Sequence, residues 1–427
     1  MSDSQVETVE KEKNDIADDA ASYWMEAGYS EGGVLRKVDY AGLAKGLPKE
    51  LEGIKIVDTD THIVESPDIF ANAPVGLKDK LPRVVRVNGV DRWKVGDRDF
   101  GSLGGNVIRA DHQKLLGRLS FPKLEQGHPG AWQIKDRLQA MDDMGVYAQI
   151  CFQNSGVTQA GSLMSLGDNE LAKTVLRMYN DASIQRQEES GQRLFTMAHL
   201  PIWDKAAMEA EAERVLDAGL KGFVLPDTPE RLGIPSFNES YWDNFLALCN
   251  DRGAPLNFHL NAAVNPDGMV WKGFEFEQVL SVVATMYSIC NSATIGNWIV
   301  SGRLDQFDKL KIGLIETGIG WVPFAIEALE HQFREMMGAC KVQPKRRPWE
   351  YFHDHFKVTF WFEEYAPKHM LDKIGINNVM FETDFPHPTC LYPGVQDHIV
   401  KVLGDHPYEV RKQVLERNAV ELYNLPF

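Results

Sequence analysis

A chain of 427 residues that is 44% hydrophobic and 25% charged has apolar material for a large buried core without help from disulfides. Its 61 acidic against 45 basic residues leave a formal charge of -16, and no basic run is long enough to follow a phosphate backbone, so nucleic acid is not expected as a partner. The five scattered cysteines (Cys151, Cys249, Cys290, Cys340, Cys390) make no C-x-x-C pair; a disulfide framework or zinc knot is not expected, and a reducing cytoplasm fits.

Residues 1–19 carry almost nothing to bury and read as a polar tail. The stretch AASYWMEAGYS that follows holds Tyr23, Trp24, Met25 and Tyr29, an aromatic cluster expected to pack on the body of the protein or on a neighbouring subunit. Residues 1–53 are therefore an N-terminal extension. No basic-then-apolar leader opens it, and no stretch approaches the roughly 20 apolar residues of a membrane span, so no membrane partner is expected.

From Ile54 onward short β-rich runs alternate with helical patterns. The strands are IKIVDTD from Ile54, VYAQICF from Val146, RLFTMAHL from Arg193, KGFVLP from Lys221, PLNFHL from Pro255, KIGLIE from Lys311, KVTFWF from Lys357 and NVMFETD from Asn378. Helical spacing marks AAMEAEAERVLDAGL, SYWDNFLALCNDRG and WVPFAIEALEHQFREMM. Eight strands with interleaved helices predict an α/β fold, a (β/α)₈ TIM barrel over residues 54–427. A long interruption at 66–143 contains VVRVNGVDRWKV, whose Asn88-Gly89 reads as a hairpin turn, and is taken as a β-containing insertion over the barrel mouth. No phosphate-binding glycine fingerprint is present.

In such a barrel the chemistry sits at the C-terminal ends of the strands. The first strand ends D-x-D-x-H; period-two alternation puts Asp58, Asp60 and His62 on one face, Asp60 and His62 at the mouth and Asp58 deeper. The fifth strand brings His259 and the eighth brings Asp384. Two imidazoles and two carboxylates suit zinc, with manganese or iron as alternatives, and leave room for a water.

Glu316, at the end of the sixth strand, could act as acid/base, reach a second ion, or orient a loop. His387 could line the pocket, donate to a substrate oxygen, or lock its turn; Glu65 could cap the next helix or approach the metal. His199 reads as a core group or a support behind a ligand, His353 and His355 lie toward the opposite face, and Trp298, Trp321 and Trp361 read as core or pocket wall.

The motifs VDTDTHIVESPDIF, RLQAMDDMGVYAQI, GLKGFVLP, SGRLDQFDKLKIGLIETGIGWVPF and FETDFPHP, in this order, resemble the amidohydrolase-related branch of the amidohydrolase superfamily. That branch includes the aminocarboxymuconate-semialdehyde and resorcylate decarboxylases. The resemblance implies that Asp60, His62, His259 and Asp384 are metal ligands. Strand four lacks the bridging lysine or glutamate of binuclear members, since Lys221 is at its wrong end and Asp227 lies past it, so one ion is the simpler reading. It also implies a homo-oligomer, a dimer. Where the decarboxylases carry a proton-moving histidine after strand six, this chain has Glu316 or Thr317.

Two functions follow. In the first, a metal-dependent hydrolase, a water activated by the ion attacks an amide, ester or thioester carbonyl, an acyl-CoA included, while Asp384 or Glu316 takes its proton. In the alternative, a non-oxidative decarboxylase, the ion holds an aromatic or unsaturated carboxylic acid while an acid protonates carbon. The glutamate at 316 favours hydrolysis. Either way the partner is a small carboxylic acid or acyl derivative.

Overall fold

The computed structural model describes residues 46–70 and, apart from short gaps between 71 and 122 and the loop 261–269, the chain from 73 to 427; before residue 46 it describes only the backbone of 27–30 and 33–36. The packing expected around Trp24 lies outside the described residues.

The barrel strands, labelled β1 to β8, are β1 Ile56–Ile63, β2 Val146–Gln153, β3 Leu194–Thr196, β4 Phe223–Val224, β5 Leu256–His259, β6 Ile312–Ile315, β7 Phe356–Phe360 and β8 Val379–Phe381. Each coincides with one of the eight runs expected from sequence. They pair in parallel as β3-β2-β1 and β4-β5-β6-β7-β8. Bridges from Ala198 to Phe223 and from Thr61 to Phe385 join the two sets and close the barrel.

The expected helices form at Lys205–Asp217, Asp243–Arg252 and Val322–Met336. Asp204 starts the first by accepting from the Ala207 amide, and Gly253 at φ 63° ends the second in the left-handed conformation that glycine adopts without strain. In the long β1–β2 connection, Arg83–Val87 and Val90–Val95 pair antiparallel across Asn88-Gly89, both at positive φ as the two-residue turn requires. The same connection ends in the helix Ile134–Met144, packed against β2. Its segment Lys114–Leu116 pairs with Gly33–Arg36 of the N-terminal extension, itself paired with Ala27–Ser30.

Two findings depart from the sequence expectations. The helix Phe276–Val300, between β5 and β6, has by length and composition what a membrane span needs: mean hydropathy is 1.4 over Glu277–Val300. Serine, threonine and asparagine interrupt its apolar residues, which hides it from a search for unbroken apolar runs. Ile295, Trp298 and Ile299 near its end are buried in the core between strands and helices, as a crossover helix requires.

The second concerns β1. Its register against β2 pairs Asp58 with Gln149 and Thr61 with Cys151, so Thr59 and Asp60 together face Ile150. This bulge breaks the period-two alternation. Val57 stays in the barrel interior, while Asp58 turns to Gln149 and Thr383, away from Asp60 and His62.

The interior is filled by Val57, Ile150, Phe152, Phe195, Met197 and Met380, against which Ala419, Leu422, Tyr423 and Leu425 close the end opposite the mouth. The Tyr423 hydroxyl donates to Asn257 Oδ1 of β5 at 2.8 Å.

Candidate active site

Asp60, His62, His259 and Glu316 each present one donor atom within 4.8 Å of the others, and His62 is shared with a second group, Asp384 and His387. The six residues come from β1, β5 and the turns after β6 and β8. Closure holds them together: the Asp384 amide donates to the Asp60 carbonyl, and the His62 amide to the Phe385 carbonyl. Leu260, Glu316 and Asp384 follow their strands at φ 52°, 58° and 63°, a left-handed conformation uncommon outside glycine that collects at functional sites.

His62 is set as a ligand. Its Nδ1 lies 2.7 Å from the Gln153 carbonyl, which can only accept, so Nδ1 carries the proton and Nε2 presents a lone pair to the site. Burial, then the neighbouring His387 and His259, hold its pKa far below the usual imidazole value. Nε2 lies 3.6 Å from Asp60 Oδ1 and 3.5 Å from Asp384 Oδ1, and makes no hydrogen bond among the described residues. Asp60 Oδ2 is likewise buried without a partner. His259 Nε2 sits 3.1 Å from Asp60 Oδ1 and 3.7 Å from Glu316 Oε2, and burial lowers its pKa to about 4.

His387 stacks on His62 with ring centres 3.8 Å apart; its Nδ1 is 2.6 Å from Asp384 Oδ1 and its Nε2 3.2 Å from Asn154 Oδ1. Thr389 donates to Asp384 Oδ2. His387 thus stands beside His62 and Asp384 in the ion cluster.

The charge balance of this cluster is the argument for a cation. Asp60, Asp384 and Glu382 are fully buried, and Glu316 is 14% exposed. Burial first, then Asp384, pushes the Asp60 carboxyl far up; Glu316 is pushed up by burial, Asp384, Asp60 and Glu382, and Glu382 by burial and Asp60. No Lys or Arg pairs with any of the four among the described residues, and such a group of acids is stable only with protons or a metal ion. Unpaired Asp60 Oδ2 and His62 Nε2, with nitrogen and oxygen donors at this spacing, fit a divalent ion.

Glu382 was not singled out in the sequence. Its Oε2 accepts from the Glu316 amide at 3.1 Å, fixing the backbone of the β6 turn. An acid one residue past an apolar strand and two before a candidate ligand was the available signal. Glu65 neither caps a helix nor joins the ion cluster: its carboxylate accepts from the Ser155 amide at 3.0 Å, and burial raises its pKa to about 7. His199 lines the cavity beside His259, with Nε2 2.8 Å from Gln153 Oε1 and a pKa lowered by burial to about 3. His355 directly precedes β7, at the end of the strand opposite the mouth, and its Nδ1 meets the Leu310 carbonyl.

Behind β1 runs a buried polar chain. Arg137 donates to Gln149 Oε1 at 2.7 Å, the Gly130 carbonyl at 3.1 Å and the His62 carbonyl at 3.0 Å. Gln149 donates to Asp58, which accepts from the amide and hydroxyl of Thr383 at 2.8 and 2.6 Å. Burial, opposed by these bonds, raises Asp58 to about 7. Beside the cluster opens a cavity of about 420 Å³ whose lining includes His259, Gln153, Leu225 and Leu232.

Comparison with known proteins agrees with the barrel fold. The chain is 24% identical over 251 residues to 2-amino-3-carboxymuconate-6-semialdehyde decarboxylase of Dictyostelium discoideum, spanning 58% of this chain and 65% of that enzyme, just under two thirds of the curated relative. Among solved structures, an amidohydrolase from Mycobacterium avium subsp. paratuberculosis K-10 superposes with TM-score 0.68 at 18% identity, over 87% of this chain and 99% of its own. The manganese complex of 5-carboxyvanillate decarboxylase from Novosphingobium aromaticivorans gives 0.61 at 16% identity, over 91% and 100%. The amidohydrolase family model matches residues 57–425, nearly the whole of the barrel, and the chain belongs to that family.

Proposed function

We propose that the protein is a divalent-metal-dependent decarboxylase that releases CO₂, without an oxidant, from an aromatic or unsaturated carboxylic acid. The observation that carries this reading is Glu316, a little-exposed carboxyl at the site's edge, 3.7 Å from His259 and pushed toward its protonated form. The decarboxylase activities of the relatives from Dictyostelium and Novosphingobium support it.

Asp60, His62, His259 and Asp384 would hold the ion, which supplies a fixed double positive charge that draws an acidic substrate group into the site. Two imidazoles with carboxylates suit manganese as well as zinc. Two charges balance Asp60 and Asp384. Glu316 and Glu382 then remain without a cation among the described residues, which favours a proton on this pair, carried in this reading by Glu316.

The Glu316 carboxyl passes that proton to the carbon that bears the substrate carboxylate. The carbon–carbon bond breaks, its electron pair restores the ring or double bond, CO₂ leaves, and the Glu316 carboxylate recovers a proton from water. In this reading His387, its Nδ1 held at Asp384, turns its Nε2 from Asn154 to a substrate oxygen. Leu225 and Leu232 give the cavity wall apolar surface for the ring or chain of the substrate.

A glutamate in place of histidine after β6 favours hydrolysis as the second reading, with Glu316 as base. One experiment separates them: metal-loaded protein is incubated in ¹⁸O-labelled water with aromatic and unsaturated acids, and in parallel with thioesters, esters and amides. CO₂ released from the acids, with acyl bonds intact, is the expected result. Label in the acid product of an acyl substrate, with no CO₂, overturns the proposal in favour of hydrolysis.

A further inference from the structure

The lining of the cavity beside the ion cluster includes His259 of that cluster, Asp227 and Arg231 from the turn after β4, and leucines such as Leu225 and Leu232. Arg231 is the only Lys or Arg in that lining among the described residues. It sits in the short turn Pro229–Leu232, its side chain is exposed, and it forms no ion pair within 4 Å among the described residues. The buried Arg137, behind β1, is engaged with backbone carbonyls and Gln149. A guanidinium offers five donors in a flat fork that matches a carboxylate, and at the rim of an apolar cavity such a pair is stronger than in open water.

We propose that Arg231 selects substrates with a second anionic group, so that the acid this site takes is a dianion, held at one end beside Asp60, His62 and His259 and at the other by the guanidinium that lines the same cavity as His259. The proposal rests on the decarboxylase reading and adds the class of acid. Asp227, on the same turn, limits the pull of Arg231: the two are close enough for their charges to interact. A second anion must therefore meet the guanidinium on the side away from Asp227.

The test measures binding, by calorimetry, of benzoate and of benzene-1,3-dicarboxylate to the manganese-loaded full chain. Wild type should bind the diacid at least 10-fold more tightly than the monoacid. Arg231→Met should remove that preference and leave benzoate affinity within twofold, because the methionine keeps the apolar stem. Asp227→Asn should strengthen diacid binding by removing the opposing charge. A preference that survives Arg231→Met overturns the proposal, and so does equal weakening of both ligands, which would mark Arg231 as a support of the cavity. If wild type binds benzoate but shows no preference, only this proposal fails. If it binds neither, the aromatic-acid reading fails and takes the proposal with it.

Discussion

Replacing Arg137 by methionine removes a buried cation while keeping most of its apolar volume. Arg137 is 1% exposed, and its guanidinium carbon lies 4.6 Å from the centre of the Phe385 ring, next to Asp384. The change strands three acceptors: Gln149 Oε1 and the carbonyls of Gly130 and His62. An unsatisfied buried acceptor costs about 1–3 kcal/mol, and removing one side of a buried charged network typically costs about 3–5 kcal/mol. We expect about 3–5 kcal/mol, a large share of the roughly 5–15 kcal/mol that stabilises a folded domain. Urea unfolding followed by circular dichroism measures it. Because the His62 carbonyl loses its anchor, divalent-ion affinity should also fall by roughly 10-fold. Arg137→Lys, which can reach one of the acceptors, should recover part of both. A loss under about 1 kcal/mol, with unchanged metal affinity, would refute the idea that this chain of bonds positions β1.

Glu316→Gln keeps shape but cannot deliver a proton, so turnover should drop by roughly 10²-fold or more with metal content unchanged; normal turnover would make Glu316 structural. Elemental analysis should find about one divalent ion per chain, and Asp60→Ala or His259→Ala should lower it; two ions at full occupancy would overturn the count. His199, neutral in the fold with its pKa lowered from 6.5 to about 3, penalises folding increasingly as pH falls below 6.5, where the unfolded chain takes the proton. Wild type should therefore lose about 2 kcal/mol more than His199→Gln between pH 6 and 4.5, and parallel pH profiles in urea unfolding would count against it. Light scattering should show a dimer at micromolar concentration; a monomer alone would remove the subunit role suggested for the segment around Trp24.

The barrel was legible because each strand is a short apolar run, with helices of clear period between several of them, from Ile54 to Asp384. The ion cluster was legible because polar residues at strand ends stand out against such runs. Asp58 was misplaced since alternation cannot reveal a bulge; only the pairing of β1 with β2 shows that Thr59 and Asp60 share one position opposite Ile150. Arg137, Gln149 and Gln153 were invisible because their partners are backbone carbonyls or residues far off in sequence, and helical or strand spacing says nothing about either. Arg231 gave no signal in a polar turn until the cavity beside it was formed.

Closure between β1 and β8 has a consequence during synthesis. Thr383 meets Asp58 across 325 residues, whereas β2 reaches β1 after about 90. At roughly 5–20 residues per second, one edge of β1 waits about 15–65 s for its partner. The residues around Tyr423 that fill the far end arrive later still. An open apolar strand edge invites pairing with other chains, and charge on the strand discourages it. Asp58 and Asp60, which later serve the polar chain and the ion cluster, carry that charge during the wait. Neutral replacements at either position should therefore lower the yield of folded protein in cells even where the purified variant is stable.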